Sequence, residues 1–207
     1  MPSVHSPRAT AFGLFHHPEW YERVSRPLTR RLYERVVGDL VAAALPSGAR
    51  ILDVGTGPGL LALRIAAACP QCTVDAVDLS PEMIQRAQHT AAATGRADAV
   101  TFAVADVARL PFPDGTFDVV LAILSLHHWP DPRAGLRELN RVLRPEAQVW
   151  IYDLRWSLGR VRRAAATVTP PPVISEQSPL AGTSRLNPIG RLVLRTAFPR
   201  PQAEPAA

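Results

Sequence analysis

The sequence predicts an α/β fold: a doubly wound, mostly parallel sheet with helices on both faces. Three observations carry that expectation. Short apolar strands alternate with helical segments at roughly the ~30-residue spacing of βαβ units. The stretch Ile51-Leu52-Asp53-Val54-Gly55-Thr56-Gly57-Pro58-Gly59 reads as a buried strand, a glycine-dense turn and the start of a helix. Finally, Asp53, Asp78 and Asp106 fall within, at the end of, and just after the first three strands. The carboxyl ends of parallel strands share one edge of the sheet, and ligands bind there.

At 207 residues the chain is long enough for one α/β domain with a full core. It divides into an arm (1–19), a helical segment (20–47), a nucleoside-binding α/β core (48–155) and a Pro/Arg-rich segment (156–207) that completes the sheet irregularly. The arm holds Pro2, Pro7, Gly13 and Pro18 and shows no periodicity. From Leu28 the apolar series Leu28, Leu32, Val36, Leu40, Val41, Leu45 follows helical spacing, and Pro46-Ser47-Gly48 ends it. The opening strand follows at once. Its three alternate glycines let an outside group approach the backbone, and Pro58 suits a first helical turn because it has no amide hydrogen to leave unused. The apolar run from Leu60 to Ala68 carries that helix.

Thr73 to Val77 alternates into a second strand ending at Asp78. Ser80-Pro81-Glu82 is a compact helix start, with a hydroxyl cap, proline at the first position and an acid near the positive end. Thr94-Gly95 closes that helix. Val100 to Val104 is a third strand, and Pro111-Phe-Pro-Asp114-Gly115 is turn chemistry. Phe117 to Leu124 is almost wholly apolar, as a central parallel strand covered on both faces requires. Asp131-Pro132 starts another helix, with Leu136, Leu139, Val142 and Leu143 as its buried stripe and Pro145 as its stop. Gln148 to Tyr152 is a fifth strand. Beyond Asp153 the expected elements are a helix within Ser157–Val168 and short strands at Val173-Ile174 and Arg191–Leu194. Eight of the 21 prolines lie from Pro170 to Pro205, so this part is expected to be irregular.

Composition narrows the function classes. All 23 basic residues are arginine. The net charge is +6 over residues 155–207 and −1 over residues 1–154, so the basic character belongs to the tail. Nucleic-acid binding calls for a basic stripe with interleaved aromatics, and the tail offers Trp156 and Phe198. Nucleic acid is therefore not expected as a partner. No window holds 18 uninterrupted apolar residues and no basic-then-apolar segment opens the chain, which predicts a soluble, cytoplasmic protein with no membrane partner. Cys69 and Cys72 are too few for a four-ligand zinc site and are expected to pack at a helix end. Oligomeric state is not legible.

The three strand-end acids converge on one crevice. Asp78 either caps the following helix or accepts hydrogen bonds from both hydroxyls of a ribose; the glycine turn ahead of it favours the second. Asp106 is either a turn residue or an acceptor for an exocyclic amine such as adenine's. Asp53 is expected to bond loop amides and shape the turn, and Asp118 to order the turn leading into the fourth strand. Met83 reads equally as helix core or as an apolar cover over an adenine. Together these describe a site for an adenosine that need not carry phosphate.

These residues resemble the class I S-adenosylmethionine-dependent methyltransferases, especially the small-molecule branch related to ubiquinone biosynthesis. Asp53-Val-Gly55-Thr-Gly57-Pro-Gly59, Val77-Asp78-Leu-Ser-Pro81-Glu-Met83, and Ala105-Asp106 with Leu110-Pro-Phe-Pro-Asp-Gly-Thr-Phe-Asp118 are similar to that family's first three motifs. Leu126-His127-His128-Trp129 and Glu138-Leu-Asn-Arg-Val-Leu-Arg-Pro145 fit as well, so the likeness spans about residues 48–153. The resemblance implies a seven-stranded sheet of order 3-2-1-4-5-7-6 with the seventh strand antiparallel. It implies S-adenosyl-L-methionine as cofactor and a small molecule as methyl acceptor. Gly55, Thr56 and Gly57, above Asp53, would lie against the methionine and ribose portions. Asp78 with Leu79 and Met83 would take the ribose and adenosine, Asp106 with Val107 the adenine. Ala122 and Ile123 would border the sulfonium. After Asp153 the sequence departs from the pattern, and strands six and seven are expected to be compressed.

Methyl transfer from a sulfonium needs alignment above all, worth roughly 7–11 kcal/mol, and requires no metal. Where the acceptor bears a proton, His127 or His128 is the candidate general base; the alternative packs one behind the crevice and leaves the other solvated. His16, Trp20 and Tyr21 either line a substrate lid or anchor the arm. Two other functions compete. A nicotinamide-dependent oxidoreductase needs a third glycine three positions after Gly57, where this chain has Leu60. A non-catalytic cofactor-binding protein would suit the irregular tail.

Overall fold

The computed structural model describes residues 26–168, 173–177 and 189–195, with side chains described from 29 to 168. Its elements are α1 (Arg26–Ala42), β1 (Arg50–Val54), α2 (Leu60–Ala68), β2 (Thr73–Asp78), α3 (Pro81–Ala93), β3 (Thr101–Val104), β4 (Phe117–Ile123), α4 (Pro132–Val142), β5 (Leu143–Leu154), α5 (Arg155–Ala165), β6 (Val173–Gln177) and β7 (Ile189–Arg195). A 3-10 turn at Leu126–His128 lies between β4 and α4.

The strands form one seven-stranded sheet of order β3-β2-β1-β4-β5-β7-β6. The first five are parallel, and β7 runs antiparallel to both β5 and β6. Alternation along the central strands sends successive side chains to opposite faces. Leu52, Val54, Val120, Ala122, Val149 and Ile151 bury against the stripes of α4 and α5. Ile51, Val74, Ala76, Val119, Leu121 and Tyr152 bury against α1 and α2. The sheet is thus covered on both sides, as parallel strands require. No helix among the described residues is long and apolar enough to cross a membrane.

Caps fix where the helices begin. Ser80 Oγ accepts the Met83 amide at 3.3 Å and donates to Glu82, while Asp131 accepts the amides of Arg133 and Ala134 at 2.9 and 3.2 Å. Both caps precede a proline at the first helical position, as their sequences predict. The N-terminal helix is tied to the sheet by the Tyr152 hydroxyl, which donates to Asp39.

Several expectations need correction. Helix α2 starts at Leu60 with Gly59 as its left-handed cap (φ 75°), so Pro58 stands in the turn and not in the first helical turn. Val41 faces solvent; the buried stripe of α1 runs through Thr29, Leu32, Tyr33, Val36 and Leu40. Pro145 does not stop α4, which ends at Val142. It lies in a bulge where Leu143 pairs with Phe117 and the ladder resumes only at Gln148–Val119, a place where the missing amide hydrogen costs no ladder bond. Asp118 does not order the turn before β4. Its Oδ2 accepts from the Arg50 amide at 2.8 Å and Arg144 Nη1 at 2.6 Å, joining the starts of β1 and β5. Strands six and seven form where expected but run longer than Val173-Ile174 and Arg191–Leu194: β7 pairs with β5 from Gln148 to Leu154, and β6 pairs with β7 over five positions. Cys69 is buried and Cys72 half-buried, and burial pushes both thiols up, which fits packing.

Candidate functional site

The turn after β1 is built by the chain's own backbone. The Gly55 and Thr56 amides both donate to the Val77 carbonyl, at 2.8 and 3.0 Å, docking the turn on the end of β2. Asp78 Oδ2 accepts the Gly57 amide at 2.8 Å and Oδ1 accepts the Ser80 amide at 3.0 Å. One carboxylate therefore spans the glycine turn and the start of α3, each oxygen keeping a further lone pair. That position suits an acceptor for a vicinal diol.

Two of the glycines answer to internal packing. A Cβ on Gly55 would stand 2.4 Å from Ser125 Cβ, and one on Gly59 would stand 2.8 Å from both Ala87 Cβ and a Phe102 ring carbon. Gly55 thus lets the turn after β1 meet the turn after β4, and Ser125 Oγ closes that junction by donating to the Val54 carbonyl at 3.0 Å. Gly59 lets α2 approach α3 and β3. Among the three, Gly57 (φ 55°) is the one whose role lies in backbone presented beside Asp78.

Asp53 lies beneath the turn, 2% exposed. It does not bond loop amides as expected; Oδ2 accepts from the Thr56 hydroxyl at 2.8 Å. Burial, opposed by that bond and reinforced by the charge of Asp78, pushes its carboxyl up to about 7. Asp106 is exposed, and its Oδ1 accepts the Ala108 amide at 2.9 Å in a turn. Val107 is half-buried against the core. Leu79 is 65% exposed next to Asp78, with Met83 half-buried one helical turn on. An exposed leucine beside the Asp78 carboxylate is an arrangement that a flat apolar base would cover. Ala122 and Ile123 are buried on opposite faces of β4. Beyond them β4 offers the crest Leu124, at φ 53°, and Ser125.

The other half of the crest holds the histidines. His127 Nδ1 lies 2.7 Å from Asp153 Oδ1, and the His127 amide donates to Oδ2 at 3.2 Å. Asp153, at the end of β5, is fully buried and also accepts the Leu154 amide at 2.6 Å. The ring of His128 lies 3.9 Å from that of His127. Burial first, and then the neighbouring His127, hold His128 below the usual imidazole range, against the opposing pull of Asp153 and Asp78. The two histidines follow the split into one packed and one solvated: His127 is half-buried on a buried acid, and His128 is exposed. Trp156, 64% exposed, stands edge-on to His127 at 6.1 Å.

The crest therefore gathers Asp53, Gly55, Thr56, Gly57, Asp78, Leu79, Ser125, His127 and His128, with Asp106 and Val107 just past β3. His16, Trp20 and Tyr21 lie outside the described residues. The sequence reading passed over Asp153 and Trp156. The first was findable by the rule that found Asp78, an acid at the carboxyl end of a parallel strand. Trp156 carries no such signal.

Residues 51–146 match the methyltransferase-domain family. The chain is 38% identical over 140 residues to the 27-O-demethylrifamycin SV methyltransferase of Amycolatopsis mediterranei, covering 67% of this chain and 50% of that one. It is 37% identical over 109 residues to the ubiquinone/menaquinone biosynthesis C-methyltransferase of Geotalea daltonii, covering 52% and 46%. It thus spans about half the length of these curated relatives. The fold is also that of a SAM-dependent methyltransferase from Aquifex aeolicus, with a TM-score of 0.58 at 19% identity over 76% of this chain and 87% of that one.

Proposed function

We propose that the chain, whose residues 51–146 match the methyltransferase-domain family, is a class I S-adenosylmethionine-dependent methyltransferase that moves a methyl group from that cofactor to a small-molecule acceptor. The observation that carries the reading is the Asp78 carboxylate, held by two amides on the rim of a glycine turn docked on β2. The donor set fits the cofactor. The side chains closing on the turn are carboxylates and hydroxyls (Asp53, Asp78, Thr56, Ser125), which suit a cationic nucleoside and repel a pyrophosphate. Asp78 would take the ribose hydroxyls, Leu79 and Met83 the adenine face, Asp106 and Val107 its edge. The backbone at Gly55 and Gly57 would meet the methionine portion, above Asp53 and Thr56, and Ala122 and Ile123 would back the strand that borders the sulfonium. When bound, the cofactor supplies a methyl already activated by the positive sulfur. The protein's share is alignment and the exclusion of water.

The arm (1–19), helical segment (20–47), core (48–155) and closing segment (156–207) are proposed as the working division, with the first two and the last on the acceptor side. His16, Trp20 and Tyr21 belong to that side in this reading. The proposal also places the protein in the cytoplasm, with no nucleic-acid partner.

Calorimetry with S-adenosylmethionine and S-adenosylhomocysteine tests the site. Asp78→Ala should weaken both by about 10- to 100-fold, the loss expected for hydrogen bonds to a charged group, while circular dichroism stays that of the wild type. Equal affinity in the variant, or competition by NAD, would overturn it.

A further inference from the structure

Between the first turns of α1 and the first turns of α2 lies a cavity of about 880 Å³. That volume is in the range of sites for organic ligands and far above what a lone inorganic ion fills. Its walls include Tyr33, which is buried, and Leu60, which is half-buried. Its rim carries the exposed side chains of Arg30, Arg31, Glu34 and Arg64. Three guanidiniums thus face one carboxylate. Glu34 is engaged by Arg30 Nε at 2.9 Å, while Arg31 and Arg64 have no carboxylate within ion-pair distance among the described residues. Arg64 lies instead over the Tyr33 ring, 5.8 Å from its centre.

All three cations act on one place. The hydrogen bond from Arg30 holds the Glu34 carboxyl below the usual carboxylate range, against a cost of desolvation, and the charges of Arg30, Arg64 and Arg31 pull the same way. The backbone adds to that sign. Both helices bring their N-terminal turns to the cavity and neither has an acid in its first turn, so the positive ends of two helix dipoles stand there uncompensated. Like charges gathered without enough acid to balance them repel one another, and a bound anion would relieve that. The position ties the cavity to the crest. Leu60 follows Gly59 directly, where the glycine turn becomes α2. A molecule held at Arg31 and Arg64 and lying along Leu60 extends toward Gly57 and Asp78 from the side of α1.

We propose, resting on the methyltransferase reading above, that this cavity anchors the methyl acceptor by an anionic group, a carboxylate or a phosphate monoester, on the guanidiniums of Arg31 and Arg64, with its organic body against Tyr33 and Leu60. The planar fork of a guanidinium matches either group with two parallel hydrogen bonds. Arg30 stays on Glu34, and Glu34 opposes the incoming anion, so it is the residue whose removal tightens binding. The acceptor is then a small organic acid, and a neutral molecule of the same shape lacks its anchor.

The test is calorimetry with 2-naphthyl phosphate, 2-naphthoate and the neutral 2-naphthamide on the whole chain loaded with S-adenosylhomocysteine. At least one of the two anions should bind about tenfold or more tighter than the amide, and its affinity should fall as salt is raised. Arg31→Gln and Arg64→Gln should each weaken it about fivefold or more, as lost hydrogen bonds to a charged group predict, while Glu34→Gln tightens it about twofold. Circular dichroism and S-adenosylhomocysteine affinity should stay those of the wild type in all three. Inter-ligand nuclear Overhauser effects should connect the naphthyl ring to the methylene groups beside the cofactor sulfur. An amide that binds as well as both anions, or a double arginine variant that binds as well as wild type, would overturn the inference. So would inorganic phosphate binding as tightly as the organic anions, an absence of inter-ligand contacts, or arginine variants that lose S-adenosylhomocysteine, which would give these arginines to the cofactor's own carboxylate. If S-adenosylhomocysteine does not bind the wild type while the anions still bind through Arg31 and Arg64, the cofactor reading falls instead, and the two failures are distinct.

Discussion

The two halves of the sheet crest solve their problems differently. On the β1–β2–β3 side, neighbours in sequence do the work. Gly55, Thr56 and Gly57 lie within four residues of Asp53, and Asp78 reaches them from the next strand through backbone amides. On the β4–β5 side, the histidine and its acid are set by separate elements: His127 meets Asp153 at a separation of 26, across α4. The first half depends on conformations that only glycine or a buried acid tolerates. The second depends on long-range hydrogen bonds. Damage should therefore be severe and local in the first, and graded in the second.

The largest effect should come from Asp53. Burial pushes its folded carboxyl up to about 7, well above the ordinary aspartate range. Between those values the folded state holds a proton that the unfolded state has released, so stability falls as pH rises through this window and is flat above it. The swing amounts to about 4 kcal/mol at most. Asp53→Asn should remove it, seen as a urea midpoint that changes less than the wild type's between pH 4 and 8; parallel curves for the two proteins would show that burial is not what governs this acid.

Next comes Gly55→Ala. The left-handed φ of 73° and a Cβ only 2.4 Å from that of Ser125 combine strain with overlap. A loss of about 3 kcal/mol is expected, read from denaturant melts, with cofactor affinity falling alongside. A cost below about 1 kcal/mol would mean that the junction between the two turns is loose.

On the graded side, Arg141→Ala should cost about 2 kcal/mol. Its guanidinium donates to the carbonyls of Leu110 and Phe112 and to Asp114 and Glu138, and Glu138 in turn accepts the Leu110 amide. The loop before β4 should then exchange its amide hydrogens faster, while S-adenosylhomocysteine binding changes little. The smallest effect is expected from Asp131→Ala, about 1 kcal/mol for a lost helix cap, confined to the first turn of α4 in hydrogen exchange. If this substitution matched Gly55→Ala, the contrast between the halves would fail.

The same contrast explains how much the sequence discloses. The glycine turn, Asp78 and the capped start of α3 are local patterns, each read from a few adjacent residues, and the structure forms all of them. Sheet order came from the family resemblance and holds. What stayed hidden required pairing across the fold. Asp118 looks like a turn residue until β1 and β5 bring Arg50 and Arg144 to it. Gly55 and Gly59 look like space left for a ligand until Ser125, Ala87 and Phe102 are found beside them. Pro145 looks like a helix stop because a bulge has no sequence signature of its own. Val41 carries the apolar spacing of α1 but falls beyond the width of the stripe that the sheet covers. Asp153 was missed because its partner lies one helix back.

The pairing of β6 sets an order on the ribosome. By the time β5 is made, each of the first five strands has a neighbour already synthesised, so the nucleoside side can close early. Among the described residues strand β6 pairs only with β7 and must wait for it, and β7 is also what covers the outer edge of β5 at Asp153. During synthesis from the N-terminus, a nascent chain would thus gain its grip on the cofactor before it gained the edge that holds the histidine's acid. A ligand bound at that moment would stabilise the half-built sheet by mass action, so binding would aid biogenesis.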